Sequence, residues 1–172
     1  MPEQTTVIAP HPFIPGEDEE AQLAHAARKG EPGELGALAC KLYDENPNLT
    51  EEEAYEAFIG WVESRGIELW PHQEEALMSI MVGDHVILGT PTGSGKSLVA
   101  LGMHFIAMCF GERSYYTAPI KALVSEKFFN LADILGRENV GMITGDVHIN
   151  TSAPVICCTE EILANHALAE GK

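Results

Sequence analysis

Residues 89–97, GTPTGSGKS, decide the fold of this chain. They follow HVIL at 85–88, a short unbroken apolar run of the kind found in a buried parallel strand. They precede the mostly apolar run 97–110, which is too long for a strand and predicts a buried helix. A glycine-rich loop between a strand and a helix brings consecutive backbone N–H groups together at the positive end of the helix. The stretch therefore predicts a phosphate-binding loop.

Two side chains of the loop carry most of its chemistry. Lys96 reaches the β- and γ-phosphates of a nucleotide as a point charge, and Ser97 offers its hydroxyl to Mg²⁺. The strict pattern has glycine at position 90, where this chain has Thr90. An ordinary glycine turn is the alternative, but it does not account for the matching strand and helix. We predict Lys96 and Ser97 as catalytic residues, Ser97 as the Mg²⁺ ligand, and phosphate binding by Thr90, Pro91, Thr92, Gly93, Ser94, Gly95, Lys96 and Ser97.

The composition limits the classes of function. The 172 residues allow one ordinary domain with an appendage, and the N-terminus lacks the basic start and apolar core of a signal peptide. The longest apolar stretch is shorter than the roughly 20 residues of a membrane span. Four cysteines have no metal spacing, and Cys157 and Cys158, adjacent in a predicted buried strand, indicate core thiols and a cytoplasmic setting. The net charge of −16 argues against binding nucleic acid through bulk charge.

The first 65 residues form an acidic region with helical patterns. One pattern runs over 17–29 and a second over 34–46. Thr50 and Glu53 form a capping box that begins a third helix, which stops at Arg65-Gly66. We predict that residues 1–65 are a solvated helical extension without chemistry of its own.

From residue 66 onward, strands and helices alternate. The predicted helices span 71–81, 96–110, 120–135 and 160–169, and the predicted strands span 85–89, 114–118, 140–143 and 154–158. This alternation predicts an α/β fold with a parallel sheet covered by helices on both faces.

Polar residues at the ends of these strands extend the candidate site. Thr117, Thr144 and Thr159 follow three strands at the edge where an open α/β sheet binds ligands. A row of hydroxyls can follow a phosphodiester backbone without net positive charge, and Lys121 adds a local charge. Gln73 presents a donor and an acceptor that match the edge of adenine.

These motifs resemble a known family. LWPHQEEA, TPTGSGKS, TAPIKAL, TGDVHIN and TEEIL, in this order, resemble the Q-type motif and motifs I, Ia, Ic and Ib of superfamily 2 helicases. The sequences PIKAL and TGDVHIN are similar to the corresponding motifs of the superkiller-like, exosome-associated DExH RNA helicases. The resemblance covers about residues 66–171. It implies a RecA-like P-loop NTPase domain that uses ATP and Mg²⁺ and binds single-stranded nucleic acid, RNA in preference to DNA.

The resemblance also implies roles for individual residues. Adenine is then read by Gln73, and the nucleic-acid backbone is contacted by Thr117, Pro119, Lys121, Thr144, Gly145 and Thr159. Three positions depart from the pattern. Glu126 stands where the family often has Gln, Glu160 replaces a second Thr, and Ala164 replaces a basic residue.

The acids that superfamily 2 helicases use for hydrolysis do not occur in this chain. No Asp-Glu pair follows residue 146, so we expect residues 66–172 to be the N-terminal part of an ATP-binding domain that stops before the DExH/DExD motif. The parent is then an ATP-dependent helicase, and the chain alone is expected to be inactive. The alternatives are a DNA helicase or translocase of the same superfamily and a non-hydrolysing nucleotide-binding module. A P-loop kinase or GTPase does not explain the motifs after residue 116.

Overall fold

The computed structural model describes residues 5–8 (backbone only), 32–91 and 93–170 (backbone only at 169–170). The helices are α1 (Glu34–Glu45), α2 (Glu51–Ser64), α3 (Pro71–Met81), α4 (Lys96–Cys109), α5 (Lys121–Leu135) and α6 (Glu160–Glu170). The strands are β1 (Thr5–Ile8), β2 (His85–Leu88), β3 (Ser114–Ala118), β4 (Val140–Ile143), β5 (His148–Ile149) and β6 (Val155–Thr159). The helix predicted over 17–29 lies outside the described residues.

The fold is α/β, with mostly parallel strands flanked by helices, as the sequence predicts. Strand β6 lies between β3 and β4 and pairs in parallel with both. The carboxyl ends of these three strands therefore meet at one edge. All four strands predicted from residue 85 onward are present within a residue of their expected bounds.

Three features of the sheet differ from the prediction. Strand β5 was not expected, and it pairs antiparallel with β4. Strand β2 pairs with β1 and, among the described residues, not with the other strands. The sequence also predicts a buried β2, yet exposure alternates along it and Ile87 is 57% exposed. An apolar run shows that a strand can be buried on both faces, but it does not show which faces a neighbour covers.

The helices before residue 65 belong to the main core, contrary to the expectation of a solvated appendage. Leu35 of α1 and Phe58 of α2 are fully buried in the cluster that contains Leu101 and Phe105 of α4. The rings of Phe58 and Phe105 lie 5.7 Å apart. A Cβ at Gly102 would lie 2.9 Å from the Phe58 ring, so the missing side chain lets α2 approach α4 closely. The domain boundary at 65/66 remains a prediction, but packing continues across it.

The ends of α2 form as the sequence predicts. The Thr50 hydroxyl accepts from the Glu53 amide at 3.2 Å, and the Glu53 carboxylate accepts from the Thr50 amide at 2.9 Å. The helix ends at Arg65, and Gly66 has a φ of 72°. The buried Arg65 guanidinium pairs with Glu34 of α1 and lies 5.0 Å from the centre of the Trp61 ring. These contacts join α1 to α2.

A histidine is buried between α4 and β3. His104 is 1% exposed, and its Nδ1 shares a 2.8 Å hydrogen bond with the Ser114 hydroxyl. Its Nε2 has no partner among the described residues. Burial disfavours the charged ring and lowers the pKa of His104 to about 4.

The first prediction concerns the pH dependence of stability. Between pH 6.5 and 4 the unfolded chain binds a proton at His104 that the folded chain excludes, so the free energy of unfolding falls as the pH falls. We expect this residue to account for a loss of about 3 kcal/mol between pH 7 and 4. Urea unfolding at several pH values, compared between the wild type and His104→Gln, measures it. The exposed His166, changed to Gln, is the control, and an unaltered pH dependence in His104→Gln contradicts the prediction.

Candidate nucleotide and nucleic-acid site

A glycine-rich loop opens onto the first turn of α4. Gly93 and Gly95 have φ values of 81° and 73°, which side chains other than glycine rarely adopt. A Cβ at Gly93 would meet no atom within 4 Å, so the space beside the loop is open. Helix α4 begins at Lys96 and has 14 residues, so its positive end reinforces the N–H groups of the loop. Thr92, also predicted to bind phosphate, lies outside the described residues.

The Lys96 ammonium is held by carbonyl oxygens of its own loop. Its Nζ donates to the carbonyl of Thr90 at 3.0 Å and to that of Pro91 at 2.9 Å. The Ser94 hydroxyl donates to the Thr90 hydroxyl at 2.6 Å, so threonine at the usual glycine position adds a hydrogen bond inside the loop. Charged phosphate oxygens accept more strongly from an ammonium than neutral carbonyls do. A bound triphosphate would therefore draw Lys96 away from these partners.

Helix α3 is tied to the loop by two neighbouring side chains. The His72 Nε2 lies 2.8 Å from the Ser94 carbonyl, which can only accept, so this nitrogen carries a proton. The Gln73 Nε2 donates to the Gly95 carbonyl at 2.9 Å, and its Oε1 accepts from the Trp70 amide at 2.8 Å. Gln73 is fully buried, and both ends of its amide are engaged inside the fold, so its reading of adenine stays a prediction. His72 was not predicted as a site residue, because the only sign of its role in the sequence is its position next to Gln73.

A lysine from α5 reaches the serine of the loop. The Lys127 Nζ donates to the Ser97 hydroxyl at 3.1 Å. Sequence reasoning missed Lys127, because it lies 30 positions from Ser97 and in none of the recognised motifs.

These residues fit a nucleoside triphosphate with Mg²⁺. The Lys96 ammonium, the Ser97 hydroxyl and the N–H groups at the start of α4 are donors and a ligand of the right types. Among the described residues, no group of three or more His, Cys, Asp or Glu side chains could hold a metal ion. Ser97 stays the predicted Mg²⁺ ligand of this loop, and phosphate oxygens would supply others, as is usual for Mg²⁺.

The predicted nucleic-acid contacts lie at one edge of the sheet. Thr117 lies near the end of β3, Thr159 ends the neighbouring β6, and Thr144 follows directly after β4. Thr117 and Thr159 are partly exposed, and Pro119 and Gly145 are exposed. Thr144 is only 1% exposed, so the structure places its hydroxyl beneath the surface.

An aspartate binds two of the polar groups at this edge of the sheet. Asp146 forms an ion pair with Lys121 and accepts a 3.1 Å hydrogen bond from the Thr144 hydroxyl. The hydrogen bond from Lys121, and after it the one from Thr144, lower the pKa of the Asp146 carboxyl. The sequence analysis did not single out Asp146. Its carboxylate engages an ammonium and a hydroxyl of the kind that bind phosphate.

The loop and the polar strand ends both lie within one stretch of the chain, residues 70–170. Residues 70–170 match the family model of the DEAD/DEAH box helicases. The match covers more than half of the chain, and the chain therefore belongs to the DEAD/DEAH box helicase family.

Curated helicases to which the chain is similar include SKI2 and a DExH-box helicase. The chain is 36% identical over 98 residues to the probable helicase HelY of Mycobacterium tuberculosis, covering 57% of the chain and 11% of HelY. It is 40% identical over 98 residues to the antiviral helicase SKI2 of Saccharomyces cerevisiae, covering 56% and 8%. It is 39% identical over 93 residues to the chloroplastic DExH-box ATP-dependent RNA helicase DExH15 of Arabidopsis thaliana, covering 54% and 8%. The chain spans about a tenth of the length of these curated relatives.

No helix within the described part of the chain is long and apolar enough to cross a membrane.

Proposed function

We propose that this chain forms the ATP-binding and strand-contacting part of an ATP-dependent RNA helicase. The observation that carries the proposal is the loop before α4. It presents Lys96 and Ser97 at the positive end of a 14-residue helix, beside open space at Gly93. The family match over 70–170 supports the same conclusion.

Two residues of the loop and two residues of α3 then have defined roles. Lys96 would exchange its two neutral carbonyl partners for phosphate oxygens, and the Ser97 hydroxyl would serve as a ligand of Mg²⁺. His72 and Gln73 fix two carbonyls of the loop and so hold its N–H groups in place. Bound ATP with Mg²⁺ supplies the phosphoanhydride whose hydrolysis drives movement along a strand.

RNA is the proposed nucleic acid. The edge of the sheet formed by the carboxyl ends of β3, β6 and β4 is proposed to hold its single strand in place. DExH15 is named as an RNA helicase, which supports this choice. The contacts at this edge involve hydroxyls and one ammonium, which suit phosphates of either RNA or DNA. A DNA helicase or translocase is therefore the rival that a binding experiment has to separate.

The second prediction tests the strand-contacting edge. Lys121→Ala removes the one ammonium of the pair with Asp146, so we expect weaker binding of single-stranded RNA and a salt dependence reduced by about one phosphate contact. Asp146→Asn removes a carboxylate that competes with phosphate, so we expect tighter binding. Fluorescence anisotropy with labelled RNA and DNA of the same sequence, at several salt concentrations, measures both effects.

Lys41→Ala is the matched control for charge. Lys41 is exposed on α1 and lies 4.0 Å from Glu45, so its loss changes net charge equally without touching the edge. Weaker binding by both Lys121→Ala and Asp146→Asn would show that their ion pair is structural. Tighter binding of DNA than of RNA by the wild type would favour the rival.

The third prediction concerns the base. If Gln73 reads adenine, the wild type prefers ATP to GTP. Gln73→Ala is expected to remove that preference, at a cost of about 1–3 kcal/mol in ATP binding by analogy with bidentate base contacts. Competition between the two nucleotides for the protein measures the preference. Equal affinity of the wild type for ATP and GTP would leave Gln73 with its structural role at Gly95 alone.

A cytoplasmic location is also part of the proposal. All four cysteines are free thiols, which agrees with a reducing compartment.

A further inference from the structure

A second lysine contacts the candidate nucleotide site from outside the loop. Lys127 lies in α5 and is partly buried, and its ammonium donates to the Ser97 hydroxyl at 3.1 Å. Among the described residues, no carboxylate pairs with this ammonium. The Ser97 hydroxyl oxygen is the acceptor that the structure shows for this ammonium.

The Ser97 oxygen is also the atom expected to bind Mg²⁺. A magnesium ion requires its ligands at about 2.0–2.1 Å in near-octahedral order. An ammonium donating to the same oxygen lies within a few ångströms of that position, where two cations repel each other strongly. Mg²⁺ and the Lys127 ammonium therefore cannot both occupy their preferred positions at Ser97.

We infer that Lys127 is a resident cation of the nucleotide site, which holds Ser97 in the absence of metal and must be displaced when Mg²⁺ binds. The inference rests on the proposed nucleotide site and adds a residue and a competition to it. Its consequence is that Lys127 raises the Mg²⁺ concentration that the site needs. The same helix begins at Lys121, so the residue that yields to Mg²⁺ lies less than two turns from the proposed strand contact.

The test measures how much free Mg²⁺ is needed for nucleotide binding. A fluorescent ADP analogue is titrated with the 172-residue chain at free Mg²⁺ concentrations from zero, set with EDTA, to saturation. We expect Lys127→Met to lower the Mg²⁺ concentration for half-maximal binding by roughly threefold or more, because the repulsion is gone. Lys127→Arg keeps a cation, so its Mg²⁺ requirement should stay near that of the wild type.

Lys41→Met is the matched control, since it removes one positive charge far from Ser97 and is expected to leave the requirement unchanged. An equal or higher Mg²⁺ requirement in Lys127→Met overturns the inference and makes Lys127 a structural anchor of α5. If Lys127→Met does not fold by circular dichroism, Lys127→Gln removes the charge but keeps a donor. Failure of both variants to fold likewise identifies an anchor and overturns the inference. Absence of analogue binding by the wild type at any Mg²⁺ concentration would overturn the proposed function itself, which separates the two failures.

Discussion

Lys96→Ala is expected to lower ATP affinity by about 30-fold or more. The variant removes the strongest single charge of the loop, and loss of one partner of a desolvated, hydrogen-bonded charge pair costs about 2–5 kcal/mol. The contacts that the structure shows for the Lys96 ammonium are with two carbonyls of its own loop, those of Thr90 and Pro91. The fold should therefore persist. Isothermal titration with ATP and Mg²⁺ measures the affinity, and far-ultraviolet circular dichroism measures the fold.

Lys41→Ala controls for the change of net charge, because Lys41 is exposed and paired with Glu45 on α1. An affinity for Lys96→Ala within twofold of the wild type would contradict the assignment of the loop. Loss of the circular dichroism signal would instead show that the two carbonyl contacts of Lys96 hold the loop together.

Phe58→Ala is expected to reduce the free energy of unfolding by about 3–5 kcal/mol. Phe58 is fully buried, with its ring 5.7 Å from that of Phe105 on α4 and 6.2 Å from that of Trp61 on its own helix. Truncation leaves a cavity that Gly102, directly opposite, has no side chain to fill. A loss of this size is a large part of the stability of an ordinary domain.

Phe129→Ala is the matched control, since Phe129 is 61% exposed on α5 and an exposed truncation usually changes stability by no more than about 0.5 kcal/mol. Urea denaturation followed by fluorescence or circular dichroism gives both values. Equal small losses in the two variants would mean that α2 is the separate appendage which the sequence pattern suggests.

Local signals in the sequence predicted most of the elements. The capping box at Thr50 and Glu53 and the glycine stop at Gly66 depend on residues within a few positions of each other, and both form as predicted. The alternation after residue 66 likewise specified the α/β class. Such signals need no knowledge of distant contacts.

The parts that the sequence did not predict depend on contacts between distant residues. Periodicity shows that Leu35 and Phe58 lie on apolar helix faces, but it does not show that α4 covers them. Strand β5 has two residues, too few for a period, and it exists because β4 pairs with it.

The candidate site likewise combines features set by neighbouring residues with contacts between distant ones. The glycine-rich loop before α4 could be predicted from local residues, and the binding of phosphate by its residues stays a prediction. The contacts of His72 with Ser94 and of Lys127 with Ser97 span 22 and 30 positions, and no spacing rule connects them. The prediction of Thr144 as a donor to the nucleic-acid backbone depended on strand position alone, whereas Thr144 is 1% exposed and its hydroxyl donates to Asp146.

The central claim is that residues 89–97 bind the phosphates of a nucleotide. The most direct measurement is a ¹⁵N–¹H correlation spectrum of the labelled chain during titration with ADP and Mg²⁺. We predict that the largest chemical-shift changes belong to the amides of Gly93, Gly95, Lys96 and Ser97. Smaller changes are expected at His72 and Gln73, because their side chains are hydrogen-bonded to the loop. Amides of α1 and α2 should stay unchanged. A saturating titration that leaves the loop amides in place, or that shifts a different region, would contradict the account.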